Sequence, residues 1–184
     1  MSHPSKTSGE AIVAAAVEMV DRGGSEGLSM RAVARKLGLA PNALYYYFPN
    51  RRMLEAAVAA NGIRRIHAVL KKTSAGSQGA GAVRRTCRSY LRFARAHPTL
   101  YAVMMTKHPD LPDLVAARKD LHEFLQGLFA ATGHPQPGAK AESASWALLH
   151  GLVVLEREGL LEDSELPTDA SHVVSVLLAG LSGG

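Results

Sequence analysis

Residues 28–54 read LSMRAVARKLGLAPNALYYYFPNRRML, and two short helical patterns meet there at a glycine. Ser29 is placed to cap the first by accepting from an early backbone N–H. Val33, Ala34 and Leu37 then share one face at the i, i+3, i+4 spacing of a buried stripe. Gly38 tolerates the left-handed backbone of a tight helix exit, and Pro41 fits the first turn of the next helix, where its missing N–H is no loss. A short turn between two helices follows. In the second helix Leu44 and Phe48 face inward at i, i+4, which leaves Asn42, Ala43, Tyr46 and Tyr47 around the rest of a very short cylinder. The pattern is a helix-turn-helix.

A helix presented in this way fits the major groove of B-DNA, with its N-terminal side chains at base edges and the preceding helix over the backbone. The residue types suit that task. Asn42 matches an adenine edge and the Ala43 methyl a thymine methyl, while Tyr hydroxyls, Ser29, Arg31 and Arg51 can reach phosphates. Of three adjacent helical residues one usually points inward, so Tyr45 stands between packing and DNA contact. Asn50 before Arg51 and Arg52 reads as the cap of a further helix, whose N-terminus either attracts a phosphate or is simply capped.

Residues 8–65 resemble the DNA-binding domain of the TetR family of transcriptional regulators. The resemblance is carried by Leu28-Ser29-Met30-Arg31, Ala34, Leu37-Gly38-Leu39, Leu44-Tyr45-Tyr46-Tyr47-Phe48 and Asn50-Arg51-x-x-Leu54. It implies a three-helix head on DNA and a larger all-helical body that binds a small ligand and dimerises. Carried over by position, the DNA contacts are Ser29, Met30, Arg31, Pro41, Asn42, Ala43, Tyr45, Tyr46, Tyr47 and Arg51. Pro49 departs from the pattern, standing where a basic or polar residue would add a phosphate contact.

Charge is distributed as that reading requires. Residues 1–66 hold nine Lys and Arg against five Asp and Glu, whereas residues 67–184 hold twelve against eleven, so the positive excess sits with the reading head. Hydrophobic content of 47% with only 5% aromatics points to helices rather than sheet. The single cysteine, Cys87, excludes an internal disulfide and suits a reducing compartment. With no signal peptide and no apolar run of membrane-spanning length, a cytoplasmic protein without membrane contact is expected.

The expected fold is all-α, with about nine helices. A helix-turn-helix domain spans 1–50, and an effector-binding and dimerisation domain spans 51–184, joined by a helix running from Asn50 to about Lys72. Residues 1–6 read as a loose arm, and Ser8 to Asp21 as a helix bracing the head through Ile12, Ala15, Ala16, Met19 and Val20. Thr73 to Gly81 is a Ser/Gly-rich break. Residues 82–97 put Val83, Cys87, Tyr90, Leu91 and Ala94 opposite Arg84, Arg85, Arg88, Arg92 and Arg95, as a solvated surface helix does.

Helices at about 139–159 and 168–181 are apolar on two faces, which predicts burial against both the chain's own core and a partner in a symmetric four-helix seam. Leu149, Gly151, Leu152, Val173, Leu177 and Leu181 are the expected interface. Tyr90-x-x-Phe93, His97-Pro98-x-x-Tyr101, Trp146 and His150-Gly151-Leu152 also resemble the C-terminal domain of a TetR subgroup named for its Trp-His-Gly signature. Tyr101, Met104, Met105, Phe124, Trp146 and His150 are candidates for lining a pocket for a partly hydrophobic effector. Eight histidines are scattered without metal spacing, and no phosphate loop or nucleophile elbow is present, so no cofactor, metal or catalysis is expected. The expected function is a homodimeric repressor released from a palindromic operator by a small molecule. The competing readings are an architectural dimer without effector and a small helical enzyme.

Overall fold

The computed structural model describes residues 8–23, 28–133 and 138–161, with 175, 176 and 179. Among the described residues the chain forms eight helices and no strand: α1 (Gly9–Gly23), α2 (Met30–Leu37), α3 (Pro41–Tyr47), α4 (Arg51–Ser74), α5 (Gly79–Ala96), α6 (Pro98–Met105), α7 (Pro112–Ala130) and α8 (Gly138–Arg157). The ninth expected helix falls mostly outside the described residues, and the three that are described there are helical. No described helix is long and apolar enough to cross a membrane.

The chain divides into two compact units, Met1–Arg65 with His97–Arg118, and Ile66–Ala96 with Lys119–Gly184. The packing of the head thus reaches beyond residue 50. It takes in the first part of α4 together with α6, because α6 packs on α1 and closes over Gly62. A Cβ at Gly62 would come 2.8 Å from Met104 Cγ and Sδ, so the bare backbone lets the two helices approach.

Local chemistry sets each element of the first unit. Ser8 Oγ accepts the Ala11 N–H at 3.1 Å and opens α1, whose Ile12, Ala16 and Val20 are fully buried. Ser29 Oγ accepts the Ala32 N–H at 3.1 Å to open α2. Gly38 sits at φ 67°, and the Leu39 N–H returns to the Ala34 carbonyl at 2.9 Å, a left-handed helix exit that leaves few carbonyls unpaired. Pro41 begins α3, Leu44 anchors it at 0% exposure, and the Phe48 N–H closes it on the Leu44 carbonyl at 2.8 Å. Asn50 Oδ1 then accepts the Met53 N–H at 3.0 Å and starts α4.

Asp21, at the end of α1, bonds Arg65 of α4 at 3.0 Å and His97, the residue before α6, at 3.2 Å. One carboxylate therefore ties three helices of this unit. His108 ends the α6 segment by bonding the Val103 carbonyl through Nε2 at 2.6 Å while itself buried.

In the second unit α5 packs on α8. Val83, Cys87, Tyr90, Leu91 and Ala94 are buried as the periodicity predicts, and Arg84, Arg85, Arg88 and Arg92 face water. Arg95 is exposed on the same face and forks its guanidinium onto Glu156 of α8, with Nε to Oε2 at 2.9 Å and Nη2 to Oε1 at 2.5 Å. The Ser/Gly-rich break is shorter than expected. Helix α4 runs on to Ser74 and α5 starts at Gly79, so only 75–78 lie between them.

Gly138 shows how tightly α7 and α8 meet. A Cβ there would overlap the Gln126 carbonyl oxygen, a backbone atom that cannot swing aside. Elsewhere Gly→Ala inside a helix gains about 0.5–1 kcal/mol of backbone entropy. Here the overlap should dominate, and Gly138→Ala should lower unfolding free energy by about 1–3 kcal/mol, the usual cost of overpacking. Urea denaturation of the variant checks this; unchanged or increased stability would mean that the α7–α8 crossing yields at no cost.

Candidate nucleic-acid interface and effector pocket

Helix α3 stands out from the first unit with its side chains in water. Tyr46 is 86% exposed, Tyr45 48% and Tyr47 38%, although each carries a large apolar ring. Only Leu44 of this helix is buried, so one anchor positions the whole surface. Tyr45, left open by periodicity, does not pack. Tyr47 is the most covered of the three: its ring lies over the start of α1, where a Cβ at Gly9 would meet Cδ1 at 3.7 Å, and it holds Tyr46 edge-to-face at 5.2 Å.

Pro41 and Asn42 are exposed and Ala43 half-buried at the N-terminal end of α3, the end that meets base edges in a groove-bound helix. Ser29 and Arg31 are exposed at the start of α2, whereas Met30 is 6% exposed and belongs to the core. Arg51 is exposed at the start of α4, its Nε bonded to Glu55 Oε1 at 2.7 Å. That pair, one helical turn apart, orients the guanidinium beside the helix N-terminus. Apart from Met30, the residues expected on DNA therefore crowd the surface of α2, α3 and the start of α4.

The expected pocket residues scatter instead. Tyr101 and Met104 are buried in the first unit, Met104 over Gly62, and Met105 is half-buried there. Phe124 belongs to the second unit, its ring 5.2 Å from that of His67. Trp146, 46% exposed, does border a cavity in the second unit, shared with Leu70, Thr86, Tyr90, Phe129 and Glu142. His150 stacks on Trp146 at 5.7 Å with the rings 16° apart. Desolvation, helped by the positive Arg157, lowers the His150 pKa, which keeps its ring neutral at pH 7. Periodicity could not single out Thr86 and Glu142, since polar residues on an apolar face carry no signal until their surroundings are known.

Helix α8 also redistributes the expected interface. Leu149 and Leu152 are buried at 5% and 7% in the chain's own core, so they have little surface left for a partner. Ala144, Ala147, Leu148 and Leu155 are exposed and Gly151 half-buried among them, and a Cβ at Gly151 would meet none of the described residues within 4 Å. Val173, Leu177 and Leu181 lie outside the described residues. No group of three or more metal-ligating side chains occurs among the described residues.

A capped helix-turn-helix with an exposed second helix, on an all-helical body, defines the class as a helix-turn-helix regulator. Residues 12–58 match the family model of bacterial regulatory proteins of the tetR family, and residues 83–181, more than half of the chain, match that of the tetracyclin repressor-like C-terminal domain. The chain belongs to the TetR family, as the resemblance of its head implied.

Relatives agree with that placement. An uncharacterized HTH-type transcriptional regulator of Mycobacterium tuberculosis is 29% identical, covering 98% of this chain and 84% of its own. The Escherichia coli class C tetracycline repressor is 42% identical over 50 residues, 27% of this chain and 23% of that protein. The fold is shared with a protein of unknown function from Rhodococcus sp. RHA1, at TM-score 0.78, 23% identity and 98% and 99% coverage of the two chains. It is shared too with a TetR variant of Acinetobacter baumannii AYE crystallised with minocycline, at TM-score 0.70, 21% identity and 96% and 97% coverage.

Proposed function

We propose that the chain is a homodimeric transcriptional repressor that binds a palindromic operator through two copies of α3 and leaves it when a small effector binds. The observation that carries the reading is α3 itself: Asn42, Tyr45 and Tyr46 are exposed together on a helix fixed by one buried leucine and a capped turn. Exposing three adjacent tyrosines brings no folding gain, and a groove-facing surface accounts for it. In this reading residues 1–50 read the DNA, and 51–184 bind effector and partner. The minocycline complex of the Acinetobacter relative supports a ligand site in such a body, and Trp146 with His150-Gly151 supports placing that body near the Trp-His-Gly subgroup.

Release follows from geometry. Two heads bind together only when spaced to meet successive major grooves about 34 Å apart, so an effector preferring another spacing lowers operator affinity by its own differential affinity. Footprinting on the DNA flanking the gene is the test, and protection of one palindrome is the expected result. Uniform protection of all sequences would overturn the reading. In the same assay Arg51→Ala should weaken every DNA sequence alike and reduce the salt slope by about 0.9 per lost phosphate contact. An unchanged slope would take Arg51 off the phosphate.

A further inference from the structure

Between Glu55 and Asp110 the chain carries ten Lys and Arg and no Asp or Glu, and seven of those cations belong to the second unit, on α5 and the end of α4. At 3.6 residues per turn Arg84, Arg85, Arg88 and Arg92 fall within an arc of about 100° on α5, and all four are exposed. The stripe ends at Arg95, which Glu156 holds. Lys71 and Lys72 are exposed where α4 ends, four residues before α5 begins its first turn across the 75–78 connection. No ion pair of Lys71, Lys72, Arg84, Arg85 or Arg92 occurs among the described residues.

A helix face that is only solvated mixes its signs, so that residues four apart attract. Here Arg84 stands four residues from Arg88 and Arg88 four from Arg92, the spacing at which like charges work against the helix. Such a face gains when a polyanion neutralises it. The large apolar side chains of α5, Val83, Tyr90, Leu91 and Phe93, are all buried. None is left on this face to enter a lipid boundary, to seal the centre of a protein interface or to stack on unpaired bases. What remains is charge alone, carried on α5 by arginines, whose planar fork takes two phosphate oxygens at once. Arg84 to Arg92 spans about 12 Å of helix, alongside which duplex DNA, at one charge per about 1.7 Å, presents about seven phosphates.

We propose that the arginine face of α5, with Lys71 and Lys72, is a second, sequence-independent contact surface for double-stranded DNA, carried by a different unit from α3. The full-length protein is titrated onto a random duplex and onto operator DNA between 50 and 200 mM salt. The triple variant Arg84→Gln, Arg85→Gln, Arg92→Gln should reduce the salt slope by about 0.9 per lost phosphate contact and weaken both DNAs alike, by about tenfold or more at 50 mM, with their ratio unchanged. Lys107→Gln, Lys119→Gln and Lys140→Gln together remove the same charge from exposed positions outside the face and should change binding little. The melting temperature of the arginine variant should hold or rise, since repulsion along α5 is relieved. Should that variant not fold, the slope of Lys71→Gln with Lys72→Gln, on another helix, decides. An unchanged slope, or equal loss in the control triple, overturns the proposal. So does a face that holds phosphatidylserine vesicles or polyglutamate in the wild type, loses them in the arginine variant and leaves DNA binding untouched, which assigns it to another polyanion. Operator reading fails separately: Tyr46→Ala acts on the ratio of operator to random DNA, whereas the arginine variant acts on the slope for both.

Discussion

Tyr46→Ala should weaken operator binding by about 1–3 kcal/mol in each half-site, and so by about 2–6 kcal/mol for a dimer on its palindrome, while binding to random DNA barely changes. The size follows from where the side chain stands. At 86% exposure Tyr46 supports little of the core, and its truncation leaves Leu44 and the Gly38 turn in place, so the loss is one of recognition and not of folding. Asn42→Ala should behave alike if its amide pairs with an adenine edge. Thermal melting separates the effects, since both variants should melt with the wild type. Equal loss on specific and random DNA would assign Tyr46 to the phosphates, and no loss on either would remove α3 from the groove.

That surface was legible in the sequence because every device shaping it is local. Ser29 and its N–H acceptor site, Gly38 and its left-handed exit, Pro41 at a first turn and Asn50 as a cap each act within four or five residues, and all four formed as read. The orientation of the tyrosines was less legible. Which of three adjacent rings turns inward depends on the start of α1, some 38 residues earlier at Gly9, and that contact covers Tyr47 in part and leaves Tyr45 in water.

The body was legible only as periodicity. Aromatic and methionine residues on an apolar stripe look the same whether they fill a core or line a pocket; Tyr101 and Met104 are both buried, Met104 over Gly62. The polar members of the cavity escaped for the converse reason. Glu142 finds His122 across twenty residues and a helix turn, and Arg95 finds Glu156 across sixty-one, pairings set by tertiary geometry alone. On α8 two apolar faces were visible, but not which one the chain would use itself. Leu149 and Leu152 went to the core, leaving Leu148, Gly151 and Leu155 outside.

Gly151→Leu should therefore dissociate the proposed dimer. Against the described residues of one chain the change is harmless or stabilising, because none of them lies within 4 Å of the new Cβ and Leu outranks Gly in helix propensity by nearly 1 kcal/mol. If α8 lies in the proposed symmetric seam, the same side chain arrives there from both protomers, and overpacking at about 1–3 kcal/mol per copy gives about 2–6 kcal/mol against association. Leu155→Asp reaches the same end by another route, placing an unpaired charge from each protomer in a desolvated contact. Light scattering across a dilution series reads the dissociation. Melting temperature measured on the dissociated protein reports whether the helix itself is intact. Operator affinity should fall with the dimer, since a lone head holds one half-site. A Gly151→Leu protein that stays dimeric at wild-type concentrations places the interface on another face, and one that unfolds shows that the open space beside Gly151 belongs to the chain's own core.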